Sequence, residues 1–151
     1  MPRSFVGLPD PGVEPEPGPV GFWSQDFLLQ LWLWLVADEL NGASESDDLD
    51  ELVAAWRREA RRYGGGCVSP RLDRWASTQS RRDLLRDAGA RAARRYAEQP
   101  MSVDEFRALR LGDNGAGQPP SPARVGSIAE RWDDLLAGTL ETTAGNSTTL
   151  V

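Results

Sequence analysis

The sequence predicts an all-α fold: about six helices around a central Trp/Leu-rich helix, with a disordered N-terminal arm and C-terminal tail. Three observations carry this. Apolar residues recur at three- and four-residue spacing through most of residues 21–138. The periodic segments open at Ser or Asp and close at Gly or before Pro. Period-2 alternation bounded by turn residues is nearly absent. The expected organisation is a flexible Pro/Gly-rich arm over 1–20, a single helical domain over 21–138, and a frayed tail over 139–151. Pro2, Pro9, Pro11, Pro15, Pro17 and Pro19 make regular structure in the arm unfavourable.

The first helix is expected from about Ser24, as N-cap, to Leu40, closed by Asn41-Gly42. It is apolar nearly all round, with Phe27, Leu28, Leu31, Trp32 and Leu35 on one side and Leu29, Leu33, Trp34 and Val36 on the other. A helix of that kind is buried on more than one side. The second starts after Ser46 or Asp47 and aligns Leu49, Leu52, Val53, Trp56, Ala60 and Tyr63 on one face. Its acids sit at the start and its arginines at the end, as the helix dipole favours. A third opens at Ser69-Pro70 and carries Leu72, Trp75 and Ala76; a fourth opens near Ser80 and ends before Pro100. The fifth begins with a capping box, Ser102 with Glu105, stapled by Met101 and Phe106. The sixth runs from Ser121-Pro122 to Gly138 with Val125, Ile128, Ala129, Trp132, Leu135 and Leu136 inward.

Composition excludes more than it names. All 17 basic residues are arginine, and there is no histidine. That removes lysine phosphate loops and Schiff bases, imidazole acid–base catalysis and His-ligated metals. No catalytic residue, metal or cofactor is expected, and the protein is read as not an enzyme. Codon bias of a GC-rich bacterial genome explains the arginine usage most simply. The longest apolar stretch, Phe27 to Ala37, falls short of a membrane span, the N-terminus has no signal-peptide pattern, and Cys67 is alone. The expected location is the cytoplasm, with no membrane contact.

Charge is partitioned along the chain: −10 over residues 1–56, +8 over 57–95 and −4 over 96–151, for a total of −6. The arginine faces of the middle helices either pair with the acidic stretches or form a basic strip for an acidic partner. The acids Glu45, Asp47, Asp48, Asp50 and Glu51 lack EF-hand spacing and read as helix-start chemistry. Gly64-Gly65-Gly66-Cys67 has no phosphate-loop spacing and reads as a helix terminator followed by a small buried residue.

Trp56, Trp75 and Trp132 fall on core faces. Trp32 and Trp34, two residues apart, do not share a face, so one of them, with Trp23, is a candidate exposed anchor. The candidate partner-binding residues are Trp23, Trp34, Arg58, Arg62, Arg81 and Arg82. The partner is another protein with an acidic patch, in an immunity, antitoxin or accessory role.

The stretch 94–140 carries a second reading. Met101 to Arg110 forms a short helix, followed by Pro120-Ser121, Val125, Trp132 and Leu136. This pattern resembles the helix-turn-helix module of homing-endonuclease-associated repeats, common in actinobacterial proteins. The resemblance implies a helical module that docks on DNA, with Arg107, Arg110, Ser121, Arg124, Ser127 and Arg131 as its contacts. The chain departs from the pattern at Glu130-Arg131, where the family has Gly-Ser before Trp. Glu130, Asp133 and Asp134 on the last helix would repel phosphate. DNA is therefore the alternative partner.

Overall fold

The computed structural model of the chain describes residues 3–8, 20–42, 46–65 and 68–140. The fold is mostly helical, with a two-stranded antiparallel sheet at its N-terminal end. The elements are β1 (Arg3–Leu8), β2 (Val20–Gln25), α1 (Asp26–Leu40), α2 (Asp47–Ala60), α3 (Leu72–Trp75), α4 (Gln79–Glu98), α5 (Val103–Ala108) and α6 (Pro122–Ala137), with a 3-10 turn at Gly112–Asn114.

The strands correct the all-α expectation, and β1 lies where a flexible arm was expected. β1 pairs with β2 so that Ser4 faces Ser24, Phe5 faces Trp23 and Val6 faces Phe22. Ser4, Val6, Leu8, Phe22 and Ser24 turn inward and are buried. On the opposite face Phe5 and Trp23 meet at 5.4 Å between ring centroids. The Phe5 ring lies so close over Gly7 and Gly21 that a Cβ at either would fall within 2.6 Å of it. The Ser4 hydroxyl donates to Asp26 Oδ1 at 2.6 Å and accepts from Val68 N–H at 2.9 Å. One serine thus ties the hairpin to the start of α1 and to the segment before α3.

α1 is central, packing against α2, α4, α6 and both strands. Its N-cap is Gln25, one residue after the expected Ser24. α2 follows Ser46, α4 is capped by Thr78, α5 carries the full Ser102–Glu105 capping box, and α6 is capped by Ser121 with Pro122 in its first turn. α3 departs from expectation. Ser69-Pro70 lie outside it, and Arg71 precedes it in a left-handed conformation, φ 50°.

Three tryptophans form the core centre. Trp132 meets Trp56 and Trp32 edge-on, at centroid distances of 5.6 and 6.0 Å. Trp56 Nε1 donates to Pro70 O at 2.8 Å and Trp132 Nε1 to Leu85 O at 3.3 Å. Gly89 in α4 makes room for this group, since a Cβ there would stand 3.0 Å from Trp132 and 3.2 Å from Trp32. Tyr63, expected on the buried face of α2, lies beyond its end and is 72% exposed. No described helix is long and apolar enough to cross a membrane.

Candidate functional site

α2 leaves the core at Ala60, and its last turns carry Arg57, Arg58, Arg61 and Arg62, with Tyr63 just beyond. Three contacts lock this end to the turn after α5, and one ties it to α1. Arg61 Nε donates to Leu109 O at 2.9 Å. Gly64 N–H donates to Asp113 Oδ2 at 3.0 Å. Gln30, buried in α1, donates from Nε2 to Arg62 O at 2.9 Å. Gly112, at φ 54°, packs so tightly that a Cβ would fall 2.2 Å from Arg62 O. Arg110 beside it holds φ 56°, a conformation that costs a side-chain-bearing residue on the order of 1–3 kcal/mol and persists only where its surroundings fix it. The end of α2 and the end of α5 therefore form one surface.

On that surface Trp34 is half-buried beneath two guanidinium groups, Arg61 at 4.6 Å and Arg57 at 5.4 Å from its ring centroid. Arg57 also pairs with Asp38 at 2.8 Å, and Arg62 with Glu59 at 3.2 Å. Arg58, Arg107 and Arg110 are exposed and make no side-chain hydrogen bond or ion pair among the described residues. Residues 57–65 and 103–113 together hold six arginines and four carboxylates, a net +2 in a chain of net −6.

The structure divides the residues nominated from sequence. Arg58 and Arg62 belong to this surface, and Trp34 lies under it rather than exposed. Arg81 is engaged by Asp48, and Arg82 donates to Ala76 O at 2.8 Å. Trp23 is 37% exposed on the hairpin's outer face. Of the DNA set, Arg107 and Arg110 join the α2 surface. Ser121 caps α6, Ser127 Oγ donates to Ala123 O, and Arg131 is half-buried. Arg124 donates to Gln25 Oε1 at 2.7 Å and stacks 5.0 Å from the Phe27 centroid. Residues 109–121, including the 3-10 turn, separate α5 from α6. A DNA-binding helix-turn-helix uses a turn of only about three or four residues. Arg61 was not among the nominated residues. Its place on the helix dipole and beside Arg62 was legible, but its carbonyl partner 48 residues away was not.

Elsewhere several arginines are neutralised. Arg86 meets Asp133 at 2.9 Å, which raises the guanidinium above its ordinary range through the hydrogen bond and then the charge. Arg71 lowers the Asp73 carboxyl, again mainly through hydrogen bonding. Glu39, with its side chain 6% exposed, receives both Arg91 and Arg95.

A cleft of about 740 Å³ opens between α1, α4 and α5, lined by Leu35, Ala92, Tyr96, Met101, Ala108 and Leu109 with Asp38, Glu39, Arg95 and Glu105 among its polar groups. Among the described residues no cluster of three or more His, Cys, Asp or Glu is arranged to hold a metal. Glu45 and the Gly66-Cys67 pair lie outside the described residues. No family model, curated protein or solved structure matches the chain.

Proposed function

We propose that this protein is a small non-enzymatic protein-binding module, of immunity, antitoxin or accessory type, that takes an acidic partner at the joined ends of α2 and α5. One observation carries the reading: at the joined ends of α2 and α5, where Tyr63 is exposed, Arg58, Arg107 and Arg110 meet no carboxylate among the described residues, whereas Arg81, Arg86 and Arg91 of α4 are each paired with one. Arginine and tyrosine are favoured anchors of protein interfaces. Unpaired cations on a small patch steer an acidic partner and set its register. The basic area is short, and the chain as a whole is acidic, which disfavours an extended polyanion such as duplex DNA.

The test places a photo-cross-linker at Tyr63 and, as control, at the exposed Ala90 of α4, in an extract of the organism that makes the protein. One protein should be captured from Tyr63 and not from Ala90. The combined variant Arg58→Glu with Arg110→Glu should lose it; Arg94→Glu, at an equally exposed α4 arginine, should keep it. Duplex DNA binding that survives physiological salt and is lost on Arg124→Ala or Arg131→Ala would replace this reading with the DNA-binding one.

A further inference from the structure

The cleft and the arginine surface share a wall. Asp38 lines the cleft and is held by Arg57; Leu109 lines it and its carbonyl is held by Arg61. Both arginines stand over Trp34, one residue before the cleft residue Leu35. A partner held by the arginines is therefore at the mouth of the cleft.

Resting on the protein-binding reading above, we propose that the partner inserts an amphipathic α-helix into this cleft, apolar side chains on its floor and acidic side chains along its rims. The floor supplies Leu35, Ala92, Met101, Ala108 and Leu109. The volume of about 740 Å³ lies within the range of pockets that hold a drug-sized molecule, which suits a few side chains from one helix face.

The backbone argues for a helix rather than an extended peptide. The walls are helices whose N–H and C=O groups are used internally, and the non-helical link begins with Gln99, whose N–H is bonded to Arg95 O. An extended peptide gains affinity from main-chain hydrogen bonds to an open edge, which these walls do not offer. A helix satisfies its own backbone and needs only the groove.

Charge argues for acidic flanks. Three carboxylates line the cleft, and each is engaged: Asp38 by Arg57, Glu39 by Arg91 and Arg95, Glu105 by the Ser102 N–H. At the α2/α5 wall Arg61, which holds the carbonyl of Leu109, meets no carboxylate among the described residues. On the α4 wall Arg95, 73% exposed, spends Nε on Glu39 and turns the rest of its guanidinium to solvent. Arg61, on the carbonyl of Leu109, and Arg95 thus stand on two sides of an apolar floor.

The test compares two labelled peptides of identical Leu, Ala, Glu composition. One places Leu at i, i+3, i+4 and i+7 with Glu on the flanks, and the other is scrambled to destroy that periodicity. Fluorescence anisotropy should show the periodic peptide binding about tenfold more tightly, with helix forming on binding. Ala108→Trp fills the cleft from an exposed position and should reduce the periodic peptide to the level of the scrambled one; Ala108→Glu, which repels the acidic flanks, should do the same. Equal affinity for the two peptides, or full binding by both Ala108 variants, overturns the cleft while leaving the arginine surface standing if Arg58→Glu still weakens both peptides. Failure of both peptides to bind, or indifference of both to Arg58→Glu, removes the arginine surface as well.

Discussion

Along α4, Arg81, Arg86, Arg91 and Arg95 each meet a carboxylate brought from another element: Asp48 of α2, Asp133 of α6, and Glu39 of α1. At the end of α2, Arg58 and Arg61 meet none among the described residues, and Arg61 instead grips a carbonyl and a tryptophan face. Both regions are rich in arginine in the sequence. The difference is set by neighbours. α4 lies between the acid-bearing faces of α1 and α6, whereas the end of α2 abuts a turn whose backbone offers carbonyls. An arginine run becomes available to a partner only where the fold leaves it without an acid.

Both regions lean on α1, so the largest way to break the comparison is to loosen that helix. Deleting residues 1–8 removes the buried Val6 and Leu8, at roughly 1.5–3 kcal/mol each, and the Ser4 link to Asp26. The denaturant midpoint should fall by the corresponding several kcal/mol; an unchanged midpoint would restore the flexible arm expected from the prolines. Next, Trp132→Ala empties the ring against which Trp32 and Trp56 both pack. It should cost about 3–5 kcal/mol in chemical denaturation, with amide exchange rising first where α4 meets α6.

Gly112→Ala acts on the other region. A Cβ there collides with Arg62 O and the backbone φ disfavours it, so the stability loss should be about 1–3 kcal/mol. The sharper sign is loss of acidic-peptide binding, because the turn carrying Arg110 is pushed from α2. The smallest effects compare the regions directly. Arg86→Ala breaks an ion pair more than a third exposed on both sides, which solvent screening leaves with little weight. Arg58→Ala should lie within about 0.5 kcal/mol of wild type. Thermal melts in low and high salt should show a salt-sensitive difference for Arg86→Ala and none for Arg58→Ala.

The helices were legible because their signals are local. Ser102 with Glu105, Ser121 with Pro122 and the αL Gly138 act within one turn of backbone, and the structure uses each. The strands were not legible. Their inward positions include Ser4 and Ser24, which blunt the period-2 pattern, and the prolines that dominate the segment fall between the strands rather than in them. Tyr63 was misplaced because the apolar spacing continues past Ala60, where the helix stops. Of the candidate site, Arg58, Arg62, Arg107 and Arg110 were nominated from residue type, but Arg61, the exposed Tyr63 and the sorting of arginines into paired and unpaired were not.

The sequence by itself determined the number and order of the helices, the caps of α5 and α6, that α1 is the buried hub, and that the chain has neither lysine nor histidine. These follow from composition and from interactions a few residues long. Tertiary structure alone decided the hairpin, the meeting of α2 with the turn after α5, and which guanidinium groups remain unmatched. Each of those depends on contacts between groups far apart in the chain: Ser4 to Asp26, Gln30 to Arg62, Arg61 to Leu109. Burial and pairing across such separations are properties of packed elements, and no single segment encodes them.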